Sequence, residues 1–167
     1  MRACVIYRSM PMASLKMAKI EDLFYLELTK SSSSTLRKVS FSVSLSYKPL
    51  TLGVGQTVKY DAVLTNDGNG YDDRTGVFTC PVAGTYRYMF VVDSLSTPDI
   101  ILHLNVKKIT VGRLHVSHLH KENTYVQISR TVIVKLKTGD QVKVVNGHKI
   151  RYMHHHMYSG FTGALLY

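Results

Sequence analysis

From Val39 onward the chain alternates apolar and polar residues with a period of two, most plainly in Phe41-Ser42-Val43-Ser44-Leu45-Ser46-Tyr47. Successive side chains of an extended chain point to opposite faces, so this pattern predicts a strand with one buried face. The same reasoning predicts strands over Val58 to Leu64, Thr85 to Asp93, Ile100 to Lys107, Ile109 to His118, Tyr125 to Leu136, Gln141 to Val145 and Phe161 to Tyr167. Turn chemistry separates them. Asn66-Asp67-Gly68-Asn69-Gly70 supplies residues that accept positive φ at little cost, and Gly139-Asp140 marks another reversal. Many strands spaced by turns predict an all-β sandwich, barrel or jelly roll.

The first part of the chain follows a different rule. Leu15, Ala18, Leu23 and Leu26 give a weak helical period over Ser14 to Leu28, and Ser31 to Ser34 read as a flexible joint. The expected organisation is a leader over residues 1–38, a short helix or disordered, and a globular domain over 39–167. The leader contains no Gly-X-Y repeat, so a collagen stalk is not expected in it. No apolar run approaches the roughly 20 residues that span a bilayer. Arg8 interrupts the opening segment before an apolar stretch of secretory type can form.

Composition adds two constraints. Hydrophobic residues make up 45% of the chain, enough for a sizeable core, and with no Trp the large side chains are 11 Tyr and 5 Phe. Lys and Arg number 21 against 11 Asp and Glu, a net charge of +10, with the excess spread over both leader and domain. Such a field favours polyanionic partners: acidic glycans, anionic lipid surfaces or nucleic acid. No nucleic-acid motif accompanies it, so nucleic acid is not the expected partner. Cys4 and Cys80 are too few for a disulfide framework, and Cys80 reads as a small buried hydrophobe. No nucleophile elbow, phosphate loop or zinc-protease motif is present, so no enzymatic activity is expected.

One framework is more specific than any of these. Tyr60, Asn66, Tyr71, Phe78, Gly84, Tyr86, Tyr88 and Phe90 follow one another at fixed spacing, Gly139-Asp140-Gln141-Val142 comes later, and the chain closes with Phe161-Thr162-Gly163-Ala164-Leu165-Leu166-Tyr167. This order resembles the globular head domain of the complement C1q family, in the C1q and tumour-necrosis-factor superfamily. The resemblance covers roughly Val39 to Tyr167. It implies a ten-stranded jelly-roll sandwich that forms homotrimers, is secreted and has no catalytic function. Tyr60 and Tyr88 stand where the family usually has Phe. The resemblance also implies that the signature residues are structural, that loops choose the target, and that the leader helix could be a trimerising neck. Two kinds of partner follow: microbial polysaccharides or acidic glycans bound in a lectin-like manner, as in invertebrate innate immunity, or a protein receptor, as for tumour-necrosis-factor ligands.

Candidate chemistry gathers between the last two strands. His154-His155-His156 supplies imidazoles suited to zinc, copper or nickel, and histidines titrate in mild acid. Lys149, Arg151 and Tyr152, with His148, form a basic-aromatic run able to pair with carboxylate or sulfate and to stack on sugar rings. The candidate ligand contacts are therefore Lys149, Arg151, Tyr152, His154, His155 and His156, and the candidate zinc ligands are the three histidines. Lys107-Lys108 with Arg113 is a second basic patch. Calcium is not expected. Counting from Asp67, the EF-hand glutamate position falls on Phe78, and Gln141 to Tyr167 contains no Asp or Glu for an apical site.

Overall fold

The structure, a computed structural model, describes residues 38–48, 50–82, 85–96, 99–117 and 125–167. The expected leader helix, Cys4 and Gly84 lie outside these residues. Twelve strands are described: β1 Ser40–Ser44, β2 Leu50–Leu52, β3 Ala62–Asp67, β4 Tyr71–Asp72, β5 Val77–Thr79, β6 Thr85–Ser96, β7 Ile101–Val106, β8 Ile109–His115, β9 Val126–Lys137, β10 Gln141–Asn146, β11 Arg151–Met153 and β12 Gly160–Leu165. Short pieces account for the number exceeding ten: β2 and β11 have three residues each and β4 has two.

The strands form two antiparallel sheets. In the first, β6 pairs along its whole length with β9, from Thr85 opposite Lys137 to Ser96 opposite Val126. Its other edge takes β12 over Tyr88 to Asp93 and β11 at Ser96. β12 continues to β1 and β3, and β11 continues to β2. The second sheet runs β4-β5-β10-β7-β8. The segment expected as a strand from Val58 begins later because the chain changes sheets there. Thr57 bridges Val145 and the Val58 N–H reaches the Val144 carbonyl on β10, while Ala62 already pairs with Ser44 of β1.

Facing apolar residues fill the space between the sheets. Phe41 lies 4.9 Å from both Phe78 and Phe161 and 5.3 Å from Tyr71, ring centre to ring centre, and Phe90 packs at 5.6–5.8 Å on Phe78 and Phe161. Offset and edge-on ring pairs at these separations add to the hydrophobic gain of burial. The signature polar atoms close turns and crossings. The Asn66 carboxamide donates to the Tyr71 carbonyl at 2.9 Å and accepts from its N–H at 3.1 Å. The Tyr71 hydroxyl in turn accepts the Tyr60 N–H and donates to the Tyr60 carbonyl, both at 3.2 Å. Asn66 and Tyr71 thus hold the sheet-changing segment by its backbone, a structural task that leaves ligands to other residues.

The two Tyr-for-Phe positions differ in outcome. The Tyr88 hydroxyl meets the buried Cys80 thiol at 3.4 Å, and burial pushes its ionisation far upward. The Tyr60 hydroxyl is fully buried and, among the described residues, has no hydrogen-bond partner. An unpaired buried hydroxyl costs about 1–3 kcal/mol. Tyr60→Phe is therefore expected to raise stability by about 1 kcal/mol, seen as a higher urea midpoint at unchanged slope. A lower midpoint would show that the hydroxyl is satisfied after all.

Candidate functional site

The β11–β12 connection carries the histidine run, and backbone hydrogen bonds strap it down. The His154 N–H donates to the Leu95 carbonyl at 2.9 Å, the His156 N–H to Ser46 at 2.6 Å, and the Met157 N–H to Leu45 at 2.9 Å. The Ser159 carbonyl and hydroxyl accept from the Leu45 and Leu95 N–H groups at 3.0 and 3.2 Å, and the Gln127 amide donates to the Tyr158 carbonyl at 3.1 Å. His156 and Met157 both adopt positive φ, 54° and 62°. Two non-glycine residues there carry local strain, which persists only where surrounding bonds enforce it. The loop is a fixed platform built against the ends of β1, β6 and β9.

Rings cover that platform. His154 is at the centre: Tyr125 meets it edge-on at 4.9 Å, Tyr158 edge-on at 5.5 Å and Tyr152 at 6.4 Å, while His155 stacks on it at 5.1 Å. His156 follows His155 at 4.2 Å and receives Tyr47 edge-on at 5.5 Å. Tyr47, Tyr125, Met157 and Tyr158 are all more than half exposed. Lost hydration, with His156 and His154 adding to it, holds the His155 imidazole below the usual histidine value. The cap therefore presents flat, amphipathic rings with hydroxyl and imidazole edges.

The zinc expectation has less support in this geometry. Imidazole lone pairs lie in the ring plane, so the near-parallel His154 and His155 rings, 20° apart, do not aim their nitrogens at a common point. Among the described residues no three His, Cys, Asp or Glu side chains are grouped to hold a metal ion.

The structure brings Tyr152 and the three histidines together, with the Tyr152 hydroxyl 3.5 Å from His155 Nδ1. It separates Lys149 from that group chemically: its ammonium pairs with Asp99 at 3.5 Å. Arg151 opens β11 opposite Leu52, a backbone placement only. Asn146 was not among the sequence candidates, yet it shapes this region. Fully buried, it donates to the carbonyls of Leu52, Gly53 and Lys149 at 3.0, 3.2 and 2.8 Å and accepts the His148 N–H at 3.3 Å. Tyr47, Tyr125 and Tyr158 were missed as well. Tyr158 borders the histidine run and was visible there, whereas Tyr47 and Tyr125 join it only through sheet register.

With the fold and the cap described, relatives can be compared. The family model of the C1q domain matches residues 40–166. The chain belongs to the C1q domain family. Complement C1q and tumor necrosis factor-related proteins 9A and 9B of Homo sapiens are each 29% identical over 140 residues, 79% of this chain. The chain spans 40% of the length of either. Among solved structures, the globular domain of zebrafish complement 1qA superposes with a TM-score of 0.60 at 23% identity, covering 78% of this chain and 98% of that one. The Eiger TNF of S. frugiperda gives 0.61 at 15% identity, covering 78% and 94%. These likenesses show the shared C1q and TNF jelly roll. Among the described residues, no helix of this C1q-domain chain is long and apolar enough to cross a membrane.

Proposed function

We propose that the chain is a secreted, non-catalytic recognition module that binds microbial polysaccharides or acidic glycans as a homotrimer, with the aromatic-histidine cap as the contact surface. The observation that carries this reading is the cap itself: exposed Tyr47, Tyr125, Tyr158 and His156, with half-buried His154 and His155, gathered on a loop that backbone bonds fix in place. Flat rings stack on the apolar faces of sugars, and their polar edges meet hydroxyl groups. A preorganised surface loses little entropy on binding. Three caps on one assembly would turn weak single contacts into avid binding of a repeating polymer.

Support for self-association comes from the outer face of the first sheet. Small residues floor a hollow of about 410 Å³ there, among them Ser42, Ser44, Gly160 and Thr162. Leu64 on β3 is 82% exposed and Ile133 on β9 is 59% exposed. A sheet face with uncovered aliphatic side chains suits burial against another protomer.

The test is a glycan and microbial-polysaccharide array probed with purified protein, its mass in solution measured by sedimentation. The expected result is a trimer with selective glycan binding that Tyr158→Ala or His154→Ala weakens about tenfold or more, 1.4 kcal/mol per factor of ten. Chelator is expected to leave binding unchanged, as the stacked rings imply. A trimer with a blank array would overturn the lectin reading and favour a protein receptor, the partner implied by the tumour-necrosis-factor side of the superfamily.

A further inference from the structure

The second basic patch is not assembled as the sequence spacing implied. Lys107 and Lys108 form the β7–β8 turn, whereas Arg113 stands near the far end of β8, about 17 Å away at roughly 3.4 Å per residue. Lys107 is bound to Asp140 at 2.8 Å. The sheet register gives Arg113 other neighbours. His103 of β7 lies directly opposite Arg113, and Ile101 lies opposite His115. Directly opposed residues share a sheet face. Leu102, Leu104 and Leu114 point into the core, so Arg113, His103 and His115 project from the solvent side of the second sheet.

His103 is held in place here. Its ring packs against Gly147, where an added Cβ would come 2.5 Å from Cε1 and Nε2. Partial burial, then the Arg113 charge, keeps this imidazole below the usual histidine value of 6.5. The groups around it are Arg113 directly opposite on β8 with His115 two positions along, Val145 directly opposite on β10 with Lys143 two positions along, and Gly147 beyond β10. Asp99 is engaged by Lys149. Among the described residues no carboxylate pairs with the Arg113 guanidinium. A guanidinium directly across from an imidazole that charges in acid is unfavourable for folding. An oxyanion seated between them would reverse that repulsion, and a planar guanidinium is the group best shaped to hold one.

We propose that Arg113, His103 and His115 form an oxyanion site on the outer face of the second sheet, for the sulfate or phosphate ester of an acidic saccharide, that tightens in mild acid. The site is separate from the aromatic cap and does not require the cap to bind glycan. The sign follows from linkage. A bound anion favours protonated His103, so binding takes up protons, and affinity rises as pH falls through the bound-state pKa toward the lowered free-state one.

The experiment is calorimetric titration of the full chain with a heparin-derived sulfated tetrasaccharide, its desulfated counterpart and inorganic phosphate, at pH 7.5 and 5.5. The sulfated probe is expected to bind about tenfold tighter at the lower pH, one pKa unit's worth of coupling. Inorganic phosphate is expected to compete, and the desulfated sugar to bind at least about tenfold more weakly. Arg113→Ala, at an exposed position where folding is not at risk, should lose binding at both pH values, and His103→Gln should shrink the pH effect. Lys108→Ala, exposed in the β7–β8 turn, should change neither. Equal binding of the desulfated sugar, or full affinity in Arg113→Ala, would overturn the site. Sulfate binding that survives Arg113→Ala but not Tyr158→Ala would assign the anion to the cap instead.

Discussion

Replacing Gly163 with Val is expected to prevent the domain from accumulating as a folded protein. Gly163 lies on β12 opposite both Phe41 of β1 and Phe90 of β6. An added Cβ would fall inside contact distance of Phe41 Cε1 and lie 2.7 and 2.8 Å from Phe90 Cε1 and Cδ1. Those rings have no free space to retreat into, since both are fully buried and packed against Phe78 and Phe161. Overpacking costs typically about 1–3 kcal/mol for modest insertions. A β-branched side chain driven into two rings exceeds that, and a small domain has only about 5–15 kcal/mol to lose. Soluble expression and thermal unfolding check this. Gly163→Ala should survive with a lowered midpoint, and a Val variant melting within a few degrees of wild type would refute the packing argument.

Much of the fold was legible because its strands obey period two where the core face is apolar. β9 and β10 fall within one residue of the alternation that predicted them, while β1 ends at Ser44, three residues before the predicted Tyr47. β6 shows where that signal stops. The apolar alternation ended it at Asp93, but the strand continues to Ser96 because its next two core-facing residues are Ser94 and Ser96, buried and hydrogen-bonded to each other at 3.4 Å. Small hydroxyl residues fill a tapering end of the core, and hydropathy does not register them. β11 was missed for another reason. Its three residues sit between a turn and the histidine run, too short for a period, and pairing with β2 and with Ser96 makes them a strand.

The candidate site was legible in part. The histidine run stood out in composition, and Tyr152 lay beside it. Tyr47 and Tyr125 come from far along the chain, and only the register of β1 and β9 around β6 delivers them to His156 and His154. The two basic runs behaved differently. Lys149 was grouped with the histidines by proximity in sequence, yet Asp99 claims it. Arg113 was grouped with Lys107-Lys108, yet the β7–β8 register sets it beside His103. Charge clusters read along a chain are unreliable in a β sandwich, because the neighbour that matters is across the ladder.

Phe41→Ala is expected to cost about 4 kcal/mol, the upper part of the range for truncating a buried aromatic. Phe41 belongs to β1 of the first sheet and reaches Phe78 of β5 and Tyr71 of β4 in the second, while also meeting Phe161 and Phe90 of its own sheet. It therefore ties the two layers together at their most aromatic point. The void left behind is walled by rings on rigid strands, which limits relaxation and keeps the loss large. Denaturant unfolding of Phe41→Ala, Phe161→Ala and the double variant checks the claim. The two rings touch at 4.9 Å, so their losses should fail to add by about 0.5 kcal/mol or more. Strict additivity would mean that the rings stabilise the sandwich independently. A loss under about 1 kcal/mol for Phe41→Ala would mean that the core closes over the gap, and would remove Phe41 from its place as the joint between the sheets.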